Sequence, residues 1–501
     1  MSAKLFQDEN YDQIVDRQIR QWRQERPGET PSGPAPGTID YITISREMGG
    51  GGEEIARILS ELMGWQVFDR EILNYMAENM DVQVKTLESI DERTVGWIDD
   101  WLKPLFTSKG EEHVEQLAYF KHLGRMLMVI ARHGRAIIVG RGANIILPRE
   151  HGMAVRVTAP FELRCKRYAK EQGVKLAEAM ETVEKNDLRQ ARFVKDFTGR
   201  DINDPKHYDI VINTEKLTPK AAAKLLWRAL DERVTSKREH AEVRARGEDV
   251  AHLLDQQMEE WEKEAKEHPI GPSHAHLVSG AQIDYITVTR DLGAGGTATA
   301  RMIADIMGWQ LYDREILDYM AKRMDVHVRM LEGLDEKALS WVNDRLMPFL
   351  SGRSDHVKQS RYYQHLGEQL LIISMHGRAV IVGRAAAQLL PREKGLSVWI
   401  TAPFELRASR YAADHNISKE EARAAIKKED EQYARFVEGF VNKHVEDIGY
   451  YDLICNTEKL TPRSVARLVC RAFEQRVASG KERAELAEEE ERPETHGPHE
   501  G

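Results

Sequence analysis

Cysteine is scarce in this chain: three residues in 501, Cys165, Cys455 and Cys470, with no metal-ligand spacing between them. That speaks against a disulfide framework or a zinc site. Long apolar runs are also lacking, and none approaches the roughly 20 residues that a membrane span requires. The opening residues, MSAKLFQDENYDQ, contain no apolar signal segment, so a cytoplasmic protein is expected. Positive charge is not in excess either. A formal net charge of −10 makes extended nucleic acid a poor partner, because polyanion binding demands a basic surface, while local arginine clusters stay compatible with a small phosphate ligand. The 41% of apolar residues is enough to fill ordinary cores.

What the chain has instead is repetition. YITISREMGGGGEEIARILSELMGWQVFDREIL from Tyr41 returns as YITVTRDLGAGGTATARMIADIMGWQLYDREIL from Tyr285, so that Arg46 matches Arg290, 244 residues later. The duplication continues through AIIVGRGANIILPRE and AVIVGRAAAQLLPRE, then VTAPFELRCKRYA and ITAPFELRASRYA, and ends with YDIVINTEKLTP and YDLICNTEKLTP. Cys165 faces Ala408 in this match, which removes any paired role for that thiol. Each copy has about the 200 residues of one α/β domain. The expected division is an N-terminal helix and linker over 1–37, a first domain over 38–235, a charged helical linker over 236–280, a second domain over 281–480 and an acidic disordered tail over 481–501. Such linkers allow domain movement. An intramolecular pseudo-dimer and a separate homodimer both fit a duplication of this kind.

Ahead of each core lies an amphipathic segment, with Val15, Ile19 and Trp22 in the first and Leu254, Met258 and Trp261 in the second. Their i, i+4, i+7 spacing gives one apolar helix face, suited to packing on its own domain or on the other repeat or a second chain.

Within one unit, strands are predicted at Tyr41 to Ser45, Trp65 to Asp69, Ala136 to Val139, Val155 to Ala159 and Tyr208 to Asn213. Ile55, Ile58, Leu59 and Leu62 mark a helix directly after a glycine-rich loop. Alternating strands and helices imply an α/β fold, two tandem three-layer domains, each with a parallel sheet of about five strands flanked by helices. Ligands of such sheets bind beyond the carboxyl ends of the strands, so the loops after Ser45, Asp69, Val139 and Ala159 are the informative ones.

The first of these loops carries Gly49, Gly50, Gly51 and Gly52, matched by Gly293, Gly295 and Gly296. Successive glycines before a helix suit a phosphate cradle, since backbone N–H groups and the helix N-terminus converge on an anion; a purely structural strand-to-helix turn uses glycines too. The full phosphate-loop pattern G-x-x-x-x-G-K-[ST] is absent.

Together with VGRG…P…V…APFELR…R and YD…NTEKL, the opening ITISREMGGGGEEIARILSELMGWQVFD resembles the cytidylate kinase-like branch of the nucleoside monophosphate kinases, over both copies. The resemblance implies a P-loop NTPase fold with a helical lid, ATP and Mg2+ as cofactors, small nucleotide ligands, and phosphorylation of CMP or dCMP or another small phosphate acceptor. A catalytically inactive nucleotide-sensing tandem module is the alternative. On this mapping the loop lysine is replaced by Gly52 and Gly296, its first glycine by Arg46 and Arg290, and the magnesium hydroxyl by Glu54 and Ala298. Arg46 either supplies the missing cation or pairs with a neighbouring carboxylate. The Asp-Gly-Arg-Asp of the third strand's end becomes Val139-Gly140-Arg141-Gly142 and Val382-Gly383-Arg384-Ala385, and the serine after the second-strand aspartate becomes Arg70 and Arg314.

The expected site is therefore cationic. Arg46, Arg141, Arg189 and Arg192 are its catalytic candidates, with Asp69. Arg70, Arg164, Arg167, Asp187, Arg384, Arg407 and Arg410 are its substrate-binding candidates, and Arg290 belongs with the glycine loop of the second copy. Phosphoryl transfer needs charge neutralisation more than covalent help, which suits arginines. Asp69 and Asp313 are candidates for a metal, or else caps of the helices that follow them. Arg164 and Arg167 share one helix face, where a salt-bridged surface is the alternative. The first copy is favoured as the active one because it keeps Arg189 and Glu54, where the second has Gln432 and Ala298.

Overall fold

The structure is a computed structural model that describes residues 39–87, 114–245, 283–314, 336–350 and 357–490, with a few positions near 13–20, 96–102 and 317–321. The first repeat runs β1 (Tyr41–Arg46), α1 (Gly52–Met63), β2 (Gln66–Phe68), α2 (Arg70–Glu78), α3 (Met80–Leu87), α4 (Val114–His133), β3 (Ala136–Val139), α5 (Ala143–Ile146), β4 (Gly152–Thr158), α6 (Phe161–Gln172), α7 (Leu176–Thr198), β5 (Ile210–Asn213) and α8 (Pro219–Ala245). The second follows as β6 (Tyr285–Arg290), α9 (Gly296–Met307), β7 (Gln310–Tyr312), α10 (Glu336–Leu350), α11 (Val357–His376), β8 (Ala379–Val382), α12 (Ala386–Leu389), β9 (Gly395–Thr401), α13 (Phe404–His415), α14 (Lys419–Val441), β10 (Leu453–Asn456) and α15 (Pro462–Glu490).

All five expected strands of each copy are present, within a few residues of their predicted ends. β1 is buried along its whole length, as its continuous Tyr-Ile-Thr-Ile pattern requires of a strand covered on both faces. It lies between β3 and β4, parallel to both. Helices α1, α8, α9 and α15 pack on one face of the sheet, where residues of both repeats share one apolar core. On the other face each repeat has its own cluster, built on α2 and α4 in the first and on α11 in the second.

Only the tertiary structure shows how the copies meet. Their sheets fuse into one of ten strands, ordered β2-β3-β1-β4-β5-β10-β9-β6-β8-β7. The central pair β5 and β10 is antiparallel, whereas every other pair is parallel, which makes the chain an intramolecular pseudo-dimer. Each repeat thereby covers the other's open sheet edge. Around this seam the contacts come in matched sets. Arg149 reaches Asp209 of its own repeat at 2.8 Å and Glu458 of the other at 3.0 Å. Arg392 does the same with Asp452 at 3.5 Å and Glu215 at 3.0 Å. Ser236 accepts the Thr461 N–H at 3.0 Å, and Ser479 accepts that of Thr218 at 3.1 Å.

These contacts move two of the expected boundaries. Ser236 is fully buried inside α8, which runs on to Ala245, so the first unit does not end at 235. Helix α15 continues to Glu490, and Glu482 accepts the Thr218 hydroxyl, so the residues just after 480 are not disordered tail. Val15 and Ile19 are buried in the first repeat's own helical cluster, the domain-packing outcome for that segment. Trp22, Leu254, Met258, Trp261 and most of the 236–280 linker lie outside the described residues.

Candidate functional site

The glycine loop joins β1 to α1. Gly49 and Gly51 have φ of +73° and +83°, and Gly293 and Gly295 repeat this with +79° and +77°, a conformation that favours glycine. Gly49 is also pressed against the Arg164 backbone of α6, where a Cβ would lie 3.1 Å from Arg164 Cα.

The missing lysine has a steric explanation. A Cβ at Gly52 would lie 2.5 Å from Cβ and 2.7 Å from Cγ of Arg46, so Arg46 occupies the space above the start of α1. Its guanidinium ends beside Gly140 at the tip of β3, where a Cβ would stand 3.2 Å from Nη1. Arg290 follows the same course over Gly296 to Gly383. In both repeats, then, the arginine and a side chain at the lysine position exclude each other.

The two arginines differ in partners. Arg46 Nε donates to Glu53 Oε1 at 2.8 Å, the carboxylate-paired outcome for that residue. Thr297 replaces Glu53 in the second copy, and the Arg290 guanidinium forms no hydrogen bond or ion pair among the described residues. Burial, then the neighbouring cations Arg314 and Arg384, push the Arg290 pKa down. At the end of the third strand the pairing is reversed. Arg384 bonds to Asp318, whereas the first copy has Asn74 at the position of Asp318, and Arg141 has no hydrogen-bond or ion-pair partner among the described residues. Each of these arginines lies over a phenylalanine of the following lid helix, Arg141 over Phe193 and Arg384 over Phe436, both at 5.1 Å from the ring centroid.

Helices α6 and α7 form the expected helical hairpin after β4, and α13 and α14 form its counterpart after β9. In the first repeat, Arg46, Arg70, Arg141 and Arg189 come together around a cavity of about 120 Å³. A second cavity of about 40 Å³, beside Gly49 and Glu53, shares Arg46 and Arg70. The second repeat has instead an open cleft of about 770 Å³, lined by Arg290, Arg314, Arg384 and Arg407. The copies also differ on the strand beside the site. Arg156 ties β4 to Ser45 at 3.1 Å and to Asn203 at 2.7 Å. Its counterpart Trp399 donates to Asp291 at 2.9 Å and makes no bond to Glu446, the counterpart of Asn203. The site on which the sequence placed its preference is the closed one.

Several candidates have other duties. Arg164 donates to the Ala159 and Met48 carbonyls and pairs with Glu47 and Asp187. Arg167 holds the Thr214 hydroxyl and carbonyl. Arg410 repeats this with Thr457, and burial lowers its pKa to about 10. Arg407 donates to the Leu292 carbonyl and to Asp430 at 2.9 Å, although it also lines the cleft. These arginines fasten the glycine loop and the lid base to the sheet, and the guanidinium groups of Arg164, Arg167 and Arg410 are taken up by these protein partners. Asp187 is the lid's anchor to Arg164, and burial raises its pKa. Arg192 is exposed on α7 and does not line the cavities of its repeat.

Asp69 accepts the Ile72 N–H at 2.9 Å and caps α2, and burial raises its pKa. Among the described residues no three His, Cys, Asp or Glu side chains gather at one point. Counted from Arg46 as the first position of the phosphate-loop pattern, the hydroxyl position is Glu53 and Thr297, one residue before Glu54 and Ala298. The second copy thus keeps that hydroxyl, exposed at the start of α9.

Sequence reasoning missed Asp318, Trp399, Thr297 and the first-repeat segment Asp201 to Lys206, which also lines the second repeat's cleft. The signal was available: apart from Asp204, matched by Asp447, these are positions where the two copies differ in charge or size.

Comparison with known proteins agrees with the repeat. The family model described as cytidylate kinase-like matches residues 41–216 and again 285–459. The cytidylate kinase of Pyrococcus horikoshii is 28% identical over 190 residues, covering 38% of this chain and 88% of that protein. That of Thermococcus sibiricus is 25% identical over 191 residues, covering 38% and 87%. Each relative therefore corresponds to about one repeat. The two matched segments take up most of the sequence and include both glycine loops, and the chain belongs to the cytidylate kinase-like family.

Proposed function

We propose that the second repeat's cleft binds a nucleotide through its phosphates, and that the chain is a phosphotransferase acting from ATP on CMP, dCMP or another small phosphate acceptor. The observation that carries this is Arg290: a half-buried guanidinium at the glycine loop, lining a 770 Å³ cleft, with no carboxylate partner among the described residues. Arg314 and Arg384 line the same space, and a bound polyanion relieves their mutual repulsion. Five of the seven acids that line the cleft among the described residues are engaged, all but Glu431 and Glu446, with Asp201 and Asp204 accepting the Asn203 and Lys206 N–H groups. Glu429 pairs with Arg314, Asp430 with Arg407, and Asp291 accepts from Trp399 and Thr401.

In this reading Arg290 does the loop lysine's work. Its planar fork grips phosphate oxygens near the α9 N-terminus, and the lid helix α14 brings Tyr433 and Gln432 over them. Magnesium, implied by the family, has no cage among the described side chains. The loss of both third-strand carboxylates speaks against cytosine selectivity of the familiar kind. A non-catalytic nucleotide sensor is the second reading, favoured by the first repeat, whose arginine is neutralised by Glu53 and whose cavities hold too little space for a nucleotide.

Calorimetric titration of ATP–magnesium, CMP and dCMP into wild type, Arg290→Gln and Arg46→Gln tests the assignment, followed by a phosphate-transfer assay. Binding lost in Arg290→Gln and kept in Arg46→Gln supports the second-repeat site. Turnover then separates kinase from sensor, and absence of binding by all three ligands refutes the proposal.

A further inference from the structure

The open cleft is not made by the second repeat alone. Because β5 and β10 run antiparallel, the segment leading into β5 reaches the carboxyl end of the second repeat's strands, and Asp201, Asn203, Asp204, Pro205 and Lys206 line that repeat's cleft. Among the described residues Lys206 is the one cation the first repeat contributes to this lining.

Its backbone is held from both sides. Asp204 accepts the Lys206 N–H at 2.9 Å and starts a short 3₁₀ turn, Pro205–His207. The Lys206 carbonyl accepts from Arg149 of the first repeat and from Asn456 of the second, both at 3.2 Å. The ammonium, by contrast, has no hydrogen bond or ion pair among the described residues; its field reaches Asp430 of the lid, which already belongs to Arg407. The pseudo-symmetric position sharpens the point. Gly449 stands in the same turn of the second repeat, and its carbonyl accepts from Arg392 at 2.6 Å, as that of Lys206 does from Arg149. The anchor is kept on both sides of the seam, while the lysine side chain occurs only on the side of the open cleft.

We infer that Lys206 of the first repeat is a phosphate-binding residue of the second repeat's site, which is incomplete without its neighbour. This rests on the phosphate-binding reading of the cleft. The ligand class follows from the chemistry: Arg290 and Lys206 are cations without carboxylate partners among the described residues, brought to one cleft from two repeats, and a ligand with at least two phosphate groups engages both. The seam then becomes part of the site, and the rigid sheet across β5 and β10 sets the distance between the two cations.

The test uses the full-length protein and ATP–magnesium as probe, with wild type, Lys206→Met, Lys206→Arg and Arg290→Gln. Lys206→Met is expected to weaken binding about tenfold, the loss typical of one charge-assisted contact, and Lys206→Arg to restore most of it. The ligand-free melting temperature stays at the wild-type value, because the seam bonds use the Lys206 backbone and not its side chain. Its rise on adding ATP–magnesium shrinks in Lys206→Met. If Arg290→Gln loses binding and Lys206→Met does not, the inference is overturned and the phosphate site stands. If ligand-free Lys206→Met melts earlier and binds normally once folded, the lysine is structural and the inference falls. If wild type binds no ATP–magnesium, the site reading and the inference fall together.

Discussion

Gly52→Ala should change the sign of its effect on stability with the residue at position 46. Alanine normally improves a helix over glycine by roughly 0.5–1 kcal/mol, and nothing in the Gly52 backbone forbids it, since its φ is not positive. Here the added methyl would lie 2.5 Å from Arg46 Cβ and 2.7 Å from Cγ, where ordinary contacts begin at 3.4 Å. A displacement approaching 1 Å is needed, and Arg46 Cβ is fixed to the central strand. Overpacking of this kind costs about 1–3 kcal/mol. Gly52→Ala should therefore destabilise the wild type by about 1–2 kcal/mol. In an Arg46→Gly background, which removes the obstructing Cβ, it should stabilise by up to about 1 kcal/mol. The coupling between the two sites is then about 2 kcal/mol, well above the few tenths expected of independent positions. Urea unfolding of the four variants, followed by circular dichroism, measures it. If Gly52→Ala stabilises both backgrounds, or the two changes simply add, Arg46 does not occupy the lysine's space, and the steric explanation for the missing lysine fails.

Three further expectations follow from the same geometry. Glu53→Gln should release Arg46 and give the first repeat a measurable affinity for inorganic triphosphate; an unchanged titration against wild type would show that the closed cavity, not Glu53, silences that repeat. Arg149→Met should cost about 3–5 kcal/mol, because it strips a main partner from the fully buried Asp209, whose carboxyl Arg149 and Arg233 hold below its ordinary pKa despite burial. Lys459→Met, which removes a bridge to the exposed Glu150, should cost less than about 1 kcal/mol, and equal losses in the two melts would contradict the ranking. Burial lowers the Lys216 pKa to about 8, below its unfolded value, so its ammonium penalises folding fully below pH 8. That penalty fades as pH rises from about 8 toward the ordinary lysine value, near 10.4. Lys216→Met should accordingly be more stable than wild type at pH 7 and lose that advantage by pH 10; an advantage independent of pH would assign the effect to packing.

Much of the fold was legible in the sequence because it is local. The continuous β-branched runs of Tyr41 to Ser45 and Ala136 to Val139, the helical spacing of Ile55, Ile58 and Leu59, and the glycines at left-handed positions 49 and 51 each state a backbone requirement that neighbours along the chain can satisfy. Duplication stated the domain count, and the resemblance named the family. The candidate site was legible only in part. Arg46, Arg70, Arg141 and Arg189 do converge, since strand order brings the ends of β1, β2 and β3 together. Arg164, Arg167 and Arg410 carry the same charge in the same kind of loop, but one helical turn decides whether a guanidinium faces the cleft or the backbone carbonyls beneath it.

The chain by itself determined two α/β units, each with an arginine where a phosphate loop has its first glycine and a glycine where it has its lysine. Tertiary structure decided what those substitutions do: Arg46 meets Glu53, while the Arg290 guanidinium meets no hydrogen-bond or ion-pair partner among the described residues and lines the open cleft with Trp399. It also decided that Lys206 lines the other repeat's cleft. The physical reason is that strand and helix formation depend on patterns a few residues long, whereas the partner of a buried charge is set by an antiparallel seam joining positions some 240 residues apart.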